Sequence, residues 1–205
     1  MRSKRFVVAL LLLLALPALA SAAPVLFKVD PDHSSATFSI RHFVTNVHGR
    51  FKDFEGTVKY DKQNPAASSV EFTAQTASID TDNKDRDNHL KSPDFFDVAK
   101  FPTMTFTSTS VKPRDANTLD VTGNLTIHGV TKPVTVPVSL LGTIATKGGG
   151  EKAGFETAFT VDRKDYGLEW NRVLDTGGTL LGNEVKIAIS VEANTPKPTE
   201  PKKSK

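Results

Sequence analysis

From Val25 to Ala193 apolar and polar positions alternate with a period of two over most of the chain. That is the pattern of strands with one buried face and one wet face. Ala36, Phe38 and Ile40 share a face, and Val58 and Tyr60 follow Phe51 and Phe54 across an irregularity. Val70, Phe72 and Ala74 alternate, as do Met104 and Phe106, Leu119 and Val121, and Leu125 and Ile127. Longer series run from Val134 to Leu140, from Phe155 to Val161 and from Val185 to Val191. The positions between are rich in Thr, Ser, Lys and Glu, and Thr suits a strand because its branched β-carbon fits the pleat. Turns are predicted at Asp61–Pro65, Lys112–Asn117 and Lys147–Glu151. His128-Gly129 marks a tight hairpin, because glycine takes positive φ without strain. Pro133 and Pro137 donate no ladder hydrogen bond and predict a bulge or a weakly paired seam.

One stretch does not alternate. Thr81–Lys91 predicts a short helix capped by Asp82, with Asp85 and Asp87 favourable in its first turn. Ser92 before Pro93 predicts a second helical start. Leu90, Phe95 and Phe96 would pin this stretch onto the sheet or across one end of it. The fold class is therefore all-β and antiparallel, with about eight strands and one or two short helices. Alternation alone suits a barrel and a sandwich equally. A closed eight-stranded barrel is just wide enough to hold a slender ligand.

The two ends differ from this middle. Residues 1–22 read as a signal peptide: Arg2, Lys4 and Arg5, an apolar run from Phe6 to Leu16, Pro17, and a small-residue cleavage site at Ala20-Ser21-Ala22. Cleavage after Ala20 is the competing choice. The apolar run is short for a membrane span. Residues 195–205 are rich in Pro and Lys, with nothing apolar to bury, and predict a disordered tail. The domain occupies 23–194. The whole chain carries +3. Removing three basic residues of the leader, and four Lys and one Glu of the tail, leaves −3 on residues 23–195. The basic balance belongs to the ends, and the case for a nucleic-acid partner loses its support.

The chain has no cysteine, which excludes disulfides, thiolate metal sites, a catalytic thiol and iron–sulfur clusters. Phosphate-binding, nucleophile-elbow and zinc-protease motifs do not occur. Asp80-x-Asp82 begins like a calcium loop, but Lys84 and Lys91 stand where oxygen ligands are required. His42 and His48 lack a marked third ligand, and His33 and His89 are no better placed. Aromatic content is the feature left unexplained: 13 Phe, of which Phe6 alone lies in the leader.

Several segments together resemble the YceI-like family: Lys28-Val-Asp-Pro-Asp-His-Ser-Ser-Ala-Thr-Phe-Ser-Ile-Arg-His42, Val47-His-Gly-Arg-Phe-Lys-Asp-Phe-Glu-Gly56, Ala77–Thr81, Arg86-Asp-Asn-His-Leu90, Ser92-Pro-Asp-Phe-Phe-Asp97, Phe101-Pro102 with Phe106, Gly123–Pro133, and Phe159-Thr-Val-Asp-Arg-Lys-Asp-Tyr-Gly167. Each is weak alone, but their order covers nearly all of 25–193. The resemblance implies a lipocalin-like antiparallel barrel, periplasmic or secreted. It implies a long isoprenoid or fatty-acid-derived lipid inside the barrel, an isoprenoid quinone being a ligand rather than a cofactor, and it implies no enzymatic activity. Alternation nominates the lining: Phe38, Ile40, Phe51, Val58, Phe72, Met104, Phe106, Leu125, Ile127, Val136, Phe159 and Ile187. Arg41, His42, Asp80, Trp170 and Asn171 are the candidates for head-group contacts. A lipid-modifying enzyme and an envelope-stress interaction protein are the alternatives. No integral membrane segment is expected, and a homodimer remains open.

Overall fold

The computed structural model describes residues 23–147, 149–173 and 177–196; the leader at 1–22 and all but the start of the 195–205 tail lie outside the described residues. Ten strands form in chain order: β1 (Val25–His42), β2 (Thr45–Phe51), β3 (Phe54–Tyr60), β4 (Ser69–Gln75), β5 (Ile79–Asp80), β6 (Thr103–Pro113), β7 (Thr118–Ile127), β8 (Val130–Ala145), β9 (Glu151–Asp162) and β10 (Leu181–Asn194). One helix, α1 (Lys84–Lys91), interrupts them.

β2 and β3 are two halves of one wall position, broken at Lys52-Asp53. Both pair with β1, through Ala36 opposite Phe51 and Lys28 opposite Thr57. β5 continues β4 beyond a 3-10 turn at Thr76–Ser78 and pairs with β2. The ring then runs β1, β2/β3, β4/β5, β6, β7, β8, β9, β10, every neighbour antiparallel. It closes where β10 returns to β1, from Lys28 opposite Asn194 to His42 opposite Leu181. Closure satisfies both edges of the sheet and settles barrel against sandwich.

The hairpin at His128-Gly129 forms as the sequence predicts, both residues at positive φ (50° and 74°) between paired Ile127 and Val130. Pro133 and Pro137 stay in register with β7, opposite Asn124 and Asp120. The seam opens on their other side, where β8 pairs with β9 only from Val138 onward. Side chains fill it: Val130 and Val134 pack with Phe159, Val161, Tyr166 and Leu168.

Two helical expectations need correction. The cap of α1 is Asn83, whose side chain accepts from the Arg86 N–H. Asp82 sits one residue earlier at φ 58° with its carboxylate on Arg50. Ser92–Asp97 forms a chain of turns rather than a second helix, because the Phe96 N–H bonds back to Leu90 and the Asp97 N–H to Ser92.

One end of the barrel is plugged. Phe27, Ala153 and Ala193 are 1%, 2% and 0% exposed. The Phe27 and Tyr60 rings meet Phe155 edge-on, with centroids 6.3 and 6.2 Å away. Truncating Phe27→Ala is expected to cost about 3–5 kcal/mol, read as a lower urea midpoint at unchanged slope.

Candidate functional site

The barrel encloses a cavity of about 570 Å³ that runs from Leu140 and Phe155 near the plug to Leu180 and Val47 at the other end. Its wall is almost wholly aliphatic and aromatic. All twelve alternation-derived residues line it: Phe38 and Ile40 from β1, Phe51 from β2, Val58 from β3, Phe72 from β4, Met104 and Phe106 from β6, Leu125 and Ile127 from β7, Val136 from β8, Phe159 from β9 and Ile187 from β10. Inward side chains in a filled core are buried on all sides. Here Phe38, Ile40, Phe72, Met104, Phe106, Phe159 and Ile187 are only half-buried, because they face open space across the lumen.

Glycines in neighbouring strands make that space. Gly49 lies opposite Phe38 and Gly56 opposite Phe72. A β-carbon at Gly49 would lie 2.4 Å from the Phe38 ring, one at Gly56 3.0 Å from Phe72, and one at Gly123 2.5 Å from Phe106. Each ring therefore lies flat on a neighbouring backbone instead of projecting into the lumen.

Nearer the plug Thr157 lines the cavity with a buried hydroxyl that has no hydrogen-bond partner among the described residues, but most of the polar lining lies at the end away from the plug. His42, Thr81, Arg86, His89 and Trp170 reach the cavity there. Arg86 is fixed by Thr81, its Nε donating to Oγ1 and its Nη2 to the carbonyl oxygen, both at 2.7 Å. Thr81 is held in turn by Asp87, which accepts from its N–H at 2.9 Å and its hydroxyl at 2.5 Å. Trp170 packs against His89 and Phe95. Arg163, in the 3-10 turn after β9, is 3% exposed and lines the same cavity. It donates from Nε to the Gly182 carbonyl at 2.9 Å and from Nη1 to the Leu168 carbonyl. Among the described residues its Nη2 has no hydrogen-bond partner. Burial pushes its pKa down, yet a guanidinium keeps its proton in proteins.

Of the five head-group candidates, His42 and Trp170 line the cavity, and three lie elsewhere. Arg41 follows inward Ile40 and so points out, where its side chain is exposed. Asn171 clamps the start of β10, its amide donating to the Leu181 carbonyl and accepting from the Leu181 N–H. Asp80 is on the outer wall beside Lys52 and Arg50, at 2.6 and 2.7 Å. Those cations, Lys52 first, and the Asp82 N–H hold its carboxyl far below the usual range. His42 and His48 diverge, His42 into the cavity and His48 onto an outer groove. Arg86, Thr81 and Arg163 had no strand alternation to mark them; they come from α1, from the loop that leads into it and from the turn after β9.

The chain matches the model of the YceI-like domain over residues 27–193. It is 44% identical over 175 residues to the protein YceI of Salmonella newport, covering 84% of this chain and 88% of that one. Burkholderia cenocepacia BcnA superposes with a TM-score of 0.70 at 27% identity, over 80% of this chain and 98% of that one. A polyisoprenoid binding domain from Saccharophagus degradans, implicated in plant cell wall breakdown, superposes at 0.63 with 14% identity, over 84% and 99%. At that identity it supports the barrel fold alone.

Gly49→Ala is expected to swing the Phe38 ring into the lumen, at a cost of about 1–3 kcal/mol. A crystal structure of the variant should show a smaller cavity; an unchanged volume with the ring still flat counts against this account. Asp80→Asn tests the outer wall. Because the native carboxyl sits below its ordinary 3.8, its stabilisation is complete above that pH and is lost as pH falls below it. The variant should have a lower urea midpoint at pH 7 and a shallower loss of stability on acidification than the parent.

Proposed function

Because the chain belongs to the YceI-like family, we propose that it binds and carries, without chemical conversion, a long isoprenoid or related amphiphilic lipid inside its barrel, in the periplasm or outside the cell. The observation that supports this reading most is the lumen: about 570 Å³, walled by side chains of which seven are only half-buried. That volume lies within the usual range for small-molecule sites, on the order of 300–1,000 Å³. The polyisoprenoid binding named for the Saccharophagus barrel suggests the ligand class. Among the described residues no helix is long and apolar enough to cross a membrane.

The energetics favour a chain over a compact ligand. An isoprene unit of about five carbons yields about 4 kcal/mol at roughly 0.8 kcal/mol per buried carbon group. Association costs on the order of 4–15 kcal/mol. One unit would barely bind, whereas several in line bind without any polar contact. The polar residues at the unplugged end, Arg86 with Thr81, His42 and Trp170, are then the place for a head group. Arg86 is held by hydrogen bonds that leave guanidinium donors to spare, and it suits an oxygen acceptor.

Native mass spectrometry of the exported protein is expected to show an excess mass that organic extraction removes, and the extract should contain a lipid of several isoprene units. A protein of chain mass alone, purified without detergent, sinks the reading.

A further inference from the structure

The turn joining β1 to β2 departs from ordinary hairpin chemistry. His42 pairs with Thr45, so Phe43 and Val44 form a two-residue turn, a place that favours Asn, Asp and Gly. Phe43 has φ 50°. A bulky residue there is an outlier that persists only where something else requires it. The side chains are not tucked away: Phe43 is 46% and Val44 91% exposed.

This tip is tied to a second exposed apolar residue. The Phe43 N–H donates to the Leu180 carbonyl, and the Leu180 N–H to the Arg172 carbonyl, both at 2.9 Å. Val173, 77% exposed, bridges Thr179 in the same segment. Phe43, Val44 and Val173 therefore share one rim. It borders the unplugged end of the cavity, which His42, Val47, Leu180 and Leu181 line. The positive charge of this rim comes from the β1–β2 hairpin, whereas Glu169 and Asp175 flank Arg172 in the chain. From Arg41 to Arg50 the hairpin carries two Arg and two His and no acidic residue. Arg50 is neutralised by Asp80 and Asp82. Arg41 and Arg172 are exposed and, among the described residues, form no ion pair. Residues 23–195 carry −3 as a whole, so the positive charge of the hairpin is local.

We propose that this rim docks on an anionic bilayer: Phe43, Val44 and Val173 enter the headgroup boundary while Arg41 and Arg172 face lipid phosphates. Exposed apolar side chains beside basic ones are the composition of surface-binding segments. Seated this way, the cavity opens onto the membrane, and an apolar chain passes between them without crossing water. The proposal rests on the lipid-carrying reading above and adds the surface from which the lipid is taken or to which it is given.

Vesicle co-sedimentation tests it, using residues 23–205, which hold the whole barrel and leave out the apolar leader. Vesicles of equal parts phosphatidylcholine and phosphatidylglycerol should bind the protein, and pure phosphatidylcholine should bind it less. Phe43→Ser with Val44→Ser should weaken partitioning on the order of tenfold or more, from the apolar surface no longer buried. Leu141→Ser with Ile144→Ser, equally exposed residues of β8 (60% and 65%), should leave it unchanged. Val44→Asp, at a site too exposed to disturb the core, should weaken it as well, and circular dichroism checks the fold of all three. Failure to sediment with either vesicle, or equal loss in the Ser pairs, overturns the docking face. Native mass spectrometry separates the two readings: protein that retains lipid yet ignores vesicles overturns docking alone, and protein that never carries lipid overturns both.

Discussion

Closing eight strands into a ring fixes a circumference, and that circumference leaves an interior wider than the chosen side chains can fill. Everything else in the molecule depends on this mismatch. It is not an accident of small residues, since the wall is rich in Phe. The rings are accommodated because glycines on adjacent strands let them lie back against the backbone. Aromatic bulk thus thickens the wall without narrowing the bore. The ring itself is held by the long β1–β10 ladder in a chain without cysteine, so packing and strand pairing alone must hold it closed.

How much of this the sequence disclosed follows from what a period of two can and cannot say. It assigns faces, and every residue it put on the inner face is there. By the same logic Arg41, next to inward Ile40, belongs outside, and Asp80, next to buried Ile79, does too. A head-group role for either runs against the parity of its own strand. Asn171 lies outside any strand, and its amide is spent on the backbone of Leu181. What alternation cannot disclose is closure itself, because a sandwich would show the same faces. Nor can it disclose the side chains delivered by α1 and by the turn after β9. Arg86 and Arg163 reach the cavity through chain reversals, and local spacing carries no record of where a reversal ends. The cap of α1 shifted by one residue for a related reason: Arg50, distant in sequence, holds Asp82 on the outer wall.

Polarity is distributed along the barrel axis, not around it. The plugged end is close-packed around Phe27, Ala153 and Ala193. The opposite end gathers the hydroxyl, imidazole, indole and guanidinium groups, and Asp87 acts at one remove by fixing Thr81, which fixes Arg86. Arg163 is the extreme member of this group, a buried cation bonded to two carbonyls and, among the described residues, to no carboxylate. It joins β9, the following turn and the start of β10 at the place where β8 and β9 part. The half of the lumen near the plug is poorer in polar groups, with Tyr60, Ser68 and Thr157 as exceptions, so the axis itself distinguishes the two ends of an amphiphile.

The plug formed by Phe27, Tyr60 and Phe155 makes the barrel a blind tube, and a blind tube is a ruler. A chain that enters from the open end must go in tail first, and whatever does not fit stays at the rim. Each carbon group added to a short tail contributes about 0.8 kcal/mol until the tip meets the aromatic floor. Beyond that length further carbons gain nothing from the protein and sit in water or in whatever surface covers the opening. Discrimination among tails is therefore a matter of depth, set by three rings far from Arg86 and His42.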